Sequence, residues 1–403
     1  MKKLELKPRL TLQHILDQHL ELLIEEGLFN SYQSRILRAL RACKTSALGE
    51  HWEACDHCGV LKVHYNSCGN RHCPGCQGAK REKWLLEREQ DLFDVPHHHL
   101  TFTVPQQLRI WFKMNQKKLY DLLFTSMWET LLSFSQDPRS RLEAQIGVIS
   151  ILHTWTQKLE YHPHLHCIVP SGGLLANGEW KVKSGRYLFH VPSVSVVFKN
   201  KFCDGLGKLY RKGSLRFRQE LSPHEFSRFI QHIKRMKWGV NSKAGFNGKA
   251  SVLEYLGRYT HKIAISNYRL LKLDNDQVTF TYRDRRAGDI KKVMSLPVRK
   301  FLLRFAQHIL PRRFVKIRHY GFLSTRVKKV KLPKIREALN QPPAAKKEKL
   351  TVADVIKQTT GKDITLCSSC KEGRMRTIKI IPRPRGSPSK LINPKIETKR
   401  YID

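Results

Sequence analysis

The sequence predicts an α+β protein in three parts: a small N-terminal metal-binding domain, a domain whose central antiparallel sheet is flanked by helices, and a basic, partly disordered C-terminal tail. Three observations carry this. Cys55, Cys58, Cys68, Cys73 and Cys76 crowd into one short segment. Two strand-like runs, residues 147–157 and 164–169, are joined by a short connection and closed by Gly172-Gly173. Helical periodicity lies on both sides of that hairpin. The expected boundaries are 1–93, 94–326 and 327–403.

In order along the chain, Leu12, Ile15, Leu16, Leu20, Leu23 and Ile24 recur at helical spacing, which predicts a helix over 11–26. A second helix is expected from Tyr32 to Ala42. The Cys-rich segment 51–78 has little periodicity and is too small and polar to fold without a metal. A helix follows over Lys80–Phe93, then a strand over His99–Val104 ended by Pro105, then one long amphipathic helix from Gln107 to Phe134. After the hairpin, a helix is expected around Ser195–Tyr210. Ser222-Pro223-His224-Glu225 reads as a helix start, with Ser as cap, Pro at the first position and Glu three residues after the cap. A short helix covers 250–260, strands cover Ile263–Leu273 and Gln277–Tyr282, and Pro297 starts a further helix. Phe314–Phe322 is short and very basic. Beyond Arg326 the composition shifts: a basic stretch with Pro342-Pro343 reads as a linker, and the tail from Ile381 as disordered.

Charge narrows the function. Lys and Arg number 74 against 34 Asp and Glu, a formal net charge of +40. Such a field calls for a polyanion, with nucleic acid the usual one and an anionic membrane the alternative. No run of about 18 apolar residues is present, and no charged start leads into an apolar signal segment, which argues against a membrane. The expectation is a soluble cytoplasmic, nucleoid-associated protein with reduced cysteines.

Reduced cysteines at close spacing read as metal ligands. Cys55-x2-Cys58 and Cys73-x2-Cys76 are two pairs of the kind that wrap a tetrahedral Zn²⁺. A structural zinc on these four is expected, and four thiolates leave no open position for catalysis. Cys68 and His72, with His57 and His64, are spare ligands: either one ribbon-like site forms, or Cys68 and His72 join a second. Cys43, Cys167 and Cys203 stand alone and read as small buried residues. Arg71, with Lys80, Arg81 and Lys83, flanks the site, either to grip DNA or as a solvated basic face.

The segment YHPHLHCIV, residues 161–169, puts His162, His164 and His166 on one face of a strand and Leu165, Cys167 and Val169 on the other. Two imidazoles on the open face can hold a divalent metal. With a hairpin turn over 158–163, Gln157 lies opposite His164, which makes it the preferred third ligand, with His153 and His162 as alternatives. Imidazoles plus an amide oxygen suit Mg²⁺ or Mn²⁺ bound with a phosphate. In YLGRY, Tyr255 and Tyr259 stand one helical turn apart, flanking a stripe of Val252, Leu253 and Leu256. By geometry alone they read equally as core-edge residues.

The ordered motifs CDHC, NSCGNRHCPGCQ, HLTFTVP, HTWTQKLEYHPHLHCIVPSGG, YLGRYTHKIAISN and FVKIRHYGFLS resemble the transposases of the IS ninety-one family, within the HUH endonuclease superfamily. The resemblance covers residues 10 to about 325. It implies an HUH-type central domain, with His164 and His166 as the metal-binding pair, Tyr255 and Tyr259 as the nucleophile pair, and Cys55, Cys58, Cys73 and Cys76 in a zinc region. It further implies nicking and rejoining of single-stranded DNA through a 5′-phosphotyrosine, as in rolling-circle-like transposition. Arg258 and Lys262, beside the tyrosines, are candidates for binding DNA phosphate. No G-x4-G-K-[ST] sequence occurs, so strand opening falls to host replication or helicase functions. The tail is outside the resemblance, although Cys367 and Cys370 make half of another zinc site. A replication initiator or relaxase shares the chemistry but not the zinc region. A zinc-bearing DNA-binding regulator accounts for the charge and cysteines but not for HPHLH beside a tyrosine pair.

Overall fold

The computed structural model describes residues 10–383 apart from 186, 247, 260–262, 285–286 and 345–349, and the side chains of residues 79, 244, 245, 258 and 259 lie outside the description. Helices α1 (Leu12–Glu25) and α2 (Ser31–Arg41) open the chain as an antiparallel pair. Each begins at a polar cap: Thr11 Oγ1 accepts from the His14 N–H, and Asn30 Oδ1 from the Gln33 N–H. Strands β1 (Glu50–Cys55) and β2 (Leu61–Tyr65) form a hairpin inside the Cys-rich segment, followed by α3 (Gln77–Glu89).

The central domain begins with β3 (His97–Thr103), α4 (Arg109–Met114) and α5 (Gln116–Gln136). The single helix expected over 107–134 is therefore broken. Asn115 leaves the helical conformation (φ −126°, ψ 39°), and its side chain clasps the backbone of Arg216, accepting from N–H at 2.7 Å and donating to C=O at 2.8 Å. Strands β4 (Gly147–Trp155) and β5 (Tyr161–Pro170) form the main hairpin, with a small ribbon of β6 (Gly172–Leu174) and β7 (Trp180–Val182) after it. Helices α6 (Val191–Arg211) and α7 (Pro223–Arg235) lead to β8 (Gly239–Phe246) and α8 (Gly248–Tyr259).

Next come β9 (Leu270–Asp274), β10 (Gln277–Asp284), β11 (Ile290–Pro297), α9 (Val298–Ala306) and β12 (Ile317–Gly321). The strand expected from Ile263 thus starts only at Leu270, after a 3-10 turn at Asn267–Arg269. The stretch read as a linker instead folds as α10 (Lys328–Ala338), because Leu332 and Ile335 bury against the domain and the Arg336 guanidinium donates to Gln90 and Leu92 carbonyls. Helix α11 (Val352–Thr360) and strand β13 (Met375–Ile381) are the last described elements, and the tail expected to be disordered lies, beyond Arg383, outside the described residues.

The central sheet runs β12-β4-β5-β3-β8, antiparallel throughout. Alternation gives it two apolar faces. Leu100, Phe102, Val148, Leu152, Leu165, Cys167 and Val169 pack with residues of α5 and α6 in one core. Ile149, Ile151 and Ile168, on the opposite face, pack under Val252 and Leu256 of α8 and Leu332 and Ile335 of α10. Gly257 lets α8 approach α3: a Cβ there would stand 3.0 Å from Leu85 Cδ1. A third core joins α1, α2 and α9 to the β11-β10-β9 sheet. The remaining sheet, β13-β1-β2, pairs the C-terminal strand with the Cys-rich hairpin. No described helix is long and apolar enough to cross a membrane.

Candidate active site and metal centres

The histidine face is set by the β4–β5 register. His153 pairs directly with His164, and Ile151 with His166. The turn is tighter than the spacing implied, because Thr156 closes it: its N–H donates to Glu160 O at 3.0 Å, and its hydroxyl accepts from the N–H groups of Lys158 and Glu160. Between His153–His164 and Trp155–Tyr161 the register slips by one residue, leaving His162 and Pro163 across from Thr154. Proline has no N–H to give to the ladder, so the bulge falls where the ladder can lose a bond. The register that put Gln157 opposite His164 does not occur. Gln157 lies in the turn, its carbonyl accepting from Arg269, and His153 takes the position facing His164.

His153, His164 and His166 offer ring nitrogens within 4.8 Å of one another. His164 Nδ1 lies 2.7 Å from the His162 carbonyl, which only accepts, so Nδ1 carries the proton and Nε2 the lone pair. His164 Nε2 and His166 Nε2 face each other at 3.0 Å. Behind them, His166 Nδ1 is 2.9 Å from His99 Nε2, and the Tyr255 hydroxyl reaches both His99 Nε2 and, at 3.1 Å, His166 Nδ1. These contacts fit either tautomer of His166: with Nδ1–H donating to His99 Nε2, its Nε2 presents a lone pair toward that of His164; with Nε2–H, the ring donates to His164 Nε2 and its Nδ1 accepts from His99 or the Tyr255 hydroxyl. In the first of these states three ring nitrogens, from His153, His164 and His166, present lone pairs around one position, and neutral imidazoles gathered this closely fit a divalent metal. Burial, with Lys243 nearby, pulls His99 down to about 4, keeping it neutral near pH 7.

Tyr255 is buried between Val252 and Leu256 on α8, its ring centroid 4.5 Å from that of His99 and 4.7 Å from that of Phe246. Tyr259 and Arg258 end the same helix, but their side chains lie outside the described residues, as does Lys262 altogether. His99 was missed as a site residue: in the run His97-His98-His99, strand alternation alone does not single it out. Its partner in β5 is Ile168, on the same face as His164 and His166.

The cysteines form two groups, not one. Cys43, Cys68, Cys73 and Cys76 gather their sulfurs in one place, and Cys55, Cys58, Cys367 and Cys370 in another. The CDHC and CPGC pairs therefore do not share an ion, because the β1–β2 hairpin carries Cys55 and Cys58 away toward β13. Cys43 is a cluster member rather than an isolated core residue, and Cys68 joins the same group. His72 does not: its Nε2 accepts from the Leu310 N–H at 3.4 Å, and burial lowers it to about 3. Arg71 is likewise not free for DNA, since its guanidinium donates to the carbonyls of Phe314 and Pro311 and ties the Cys-rich segment to the loop before β12.

Comparison with known proteins finds matches over both the Cys-rich region and the central domain. A family model described as "Putative transposase" matches residues 147–331, and one described as "Transposase zinc-binding domain" matches residues 15–104. "Putative transposase y4qJ" of Sinorhizobium fredii is 38% identical over 364 residues, covering 88% of this chain and 91% of that protein. "Transposase for insertion sequence element IS801" of Pseudomonas savastanoi pv. phaseolicola is 32% identical over 357 residues, covering 86% and 84%. No solved structure matches. These relationships place the chain among transposases, whose substrate is DNA. It belongs to the IS ninety-one family, and its cysteine clusters together with the zinc-binding domain support structural zinc.

Proposed function

We propose that this transposase nicks and rejoins single-stranded DNA with Tyr255 as first nucleophile, through a 5′-phosphotyrosine intermediate. One observation carries the reading: the Tyr255 hydroxyl lies 3.1 Å from His166 Nδ1, while Nε2 of the same ring faces His164 Nε2 at 3.0 Å. A nucleophile and a metal-type site then share one imidazole. His153, His164 and His166 would hold the divalent ion, which when bound neutralises charge on the scissile phosphate and leaving oxygen. Three imidazoles favour Mn²⁺ over the harder Mg²⁺.

Tyr255 Oη attacks phosphorus, the bond to the 3′ oxygen breaks, the phenol proton passes to His99 Nε2, with which it is already hydrogen-bonded, and the departing 3′ oxygen takes a proton from water to become a free 3′-hydroxyl. The new phosphotyrosine ester conserves the energy of the cleaved bond, so a free 3′-hydroxyl can attack it and rejoin a strand without ATP. Tyr259, one helical turn on, serves the second cleavage that moving an element from donor to target requires. Basic surfaces track the DNA backbone, and strand opening is left to host replication or helicase functions.

The test is a denaturing gel of purified protein with labelled single-stranded oligonucleotides from the element's ends. An SDS-stable adduct that requires Mn²⁺ or Mg²⁺ and is absent from His164→Ala is expected. Tight DNA binding without adduct or cleavage under any divalent ion would overturn the reading.

A further inference from the structure

We propose that Cys55, Cys58, Cys367 and Cys370 form a zinc clasp, separate from a second zinc site at Cys43, Cys68, Cys73 and Cys76, which locks the C-terminal segment onto the N-terminal module. The proposal stands independently of the nicking chemistry.

The sulfur geometry is that of a metal site. Cys55 and Cys370 sulfurs lie 3.7 Å apart, as do those of Cys58 and Cys367. A tetrahedron with Zn–S bonds of about 2.3 Å has edges of about 3.8 Å, whereas a disulfide closes to about 2.05 Å. The second group shows the same spacing, with contacts of 3.4 Å (Cys43–Cys76) and 3.6 Å (Cys68–Cys76 and Cys43–Cys73).

Both halves of the clasp are built alike, although 309 residues separate Cys58 from Cys367. Each is a C-x2-C turn followed by a left-handed residue, Gly59 (φ 71°) or Lys371 (φ 59°). In each, backbone N–H groups point at sulfur: His57 and Cys58 at Cys55 (3.5 Å each), Ser369 at Cys367 (3.4 Å) and Gly373 at Cys370 (3.3 Å). Such donors stabilise thiolates, the form that binds metal. Gly373 packs so tightly on the other half that a Cβ there would stand 2.5 Å from Cys55 Sγ. The nearby imidazoles are engaged elsewhere, His57 with Glu372 at 3.4 Å and His64 with Glu53 at 3.2 Å.

Energetics also call for a metal. Strand β13 pairs with β1 along its length, yet Ile378 is 57% and Ile380 70% exposed. A three-stranded sheet with so little apolar burial is marginal by itself, and metal coordination supplies what burial does not. Between the clasp and the central domain, α11, with Val355 buried, packs on α3, and α3 packs on the tyrosine helix α8. The clasp thus braces the outer side of the active-site helix.

The experiment is elemental analysis of the purified full chain, combined with thiol alkylation mapped by mass spectrometry. Two zinc ions per chain are expected. Cys367→Ser with Cys370→Ser should leave one, expose Cys58 to alkylation and remove hydrogen-exchange protection from residues 375–381. Two ions retained in that variant would overturn the proposal. Should the variant fail to fold, stepwise chelation of the wild type decides: Cys55, Cys58, Cys367 and Cys370 should become reactive as one group. Release of Cys55 and Cys58 together with Cys73 and Cys76, or free alkylation of Cys58 and Cys370 before chelation, would contradict the clasp.

Discussion

The phenol of Tyr255 and the Nδ1 of His166 converge on one atom, His99 Nε2. In the proposed mechanism, losing that atom would remove both the proton acceptor and the support that turns His166 toward the metal. We expect His99→Ala to lower metal-dependent cleavage by about 10–100-fold, the usual cost of a ligand's outer partner, and to raise the Mn²⁺ concentration needed for half-maximal activity. A purely structural role would lower thermal stability and leave that concentration unchanged. His153→Ala should cost at least as much, and Gln157→Ala should be near neutral, in the same Mn²⁺ titration. The period-two spacing of His164 and His166 was legible because a strand's alternation is fixed. The third nitrogen was ambiguous because its identity depends on where the hairpin turns, which the hydroxyl of Thr156 decides. His99 stayed hidden because it meets its partners across 67 and 156 residues of chain.

Elements read well where one local signal sufficed. Ser222 caps α7, with Glu225 returning the bond to the Ser222 N–H as its sequence implied. They read poorly where a distant partner decides. Asn115 breaks a helical pattern for the sake of Arg216, and α10 is held by burial of Leu332 and Ile335 and by Arg336 donating to the Gln90 and Leu92 carbonyls. Strand β8 has no strong alternation, and its place is set by pairing with β3 at the sheet's edge. One glycine makes the element scale testable. Gly321 has φ +60°, and a Cβ there would stand 1.7 Å from the Ile146 carbonyl oxygen. Gly321→Ala must therefore part β12 from β4, and we expect a loss of about 1–3 kcal/mol, read as a lower urea midpoint. An unchanged midpoint would show that the β12 edge yields freely.

Over the whole molecule, charge and buried histidines set the response to solution conditions. A net charge of +40 implies binding dominated by phosphate contacts. Affinity for single-stranded DNA should fall log-linearly with salt, with a slope of about −0.7 per contacted phosphate; salt-independent binding would contradict this. Burial lowers His97, His98 and His319 to about 4, and His72 and His308 to about 3. Unfolded, each takes up a proton near pH 6.5; folded, none does until about pH 4 or below. Between those values the unfolded chain binds more protons, so stability is full above about pH 6.5 and declines as pH falls toward 4. Melting temperatures at pH 7.5 and 5 should differ in that direction.

The central claim, that Tyr255 is the residue joined to DNA, has a direct measurement. Trypsin cuts after Lys249, Arg258 and Lys262, so the two tyrosines fall in different peptides, 250–258 and 259–262. Nuclease-trimmed adduct, digested and sequenced by mass spectrometry, should carry its nucleotide remnant on peptide 250–258 at Tyr255, and Tyr255→Phe should abolish that species while DNA binding persists. A remnant found only on Tyr259, or on a residue outside α8, would contradict the assignment built on His99 and His166.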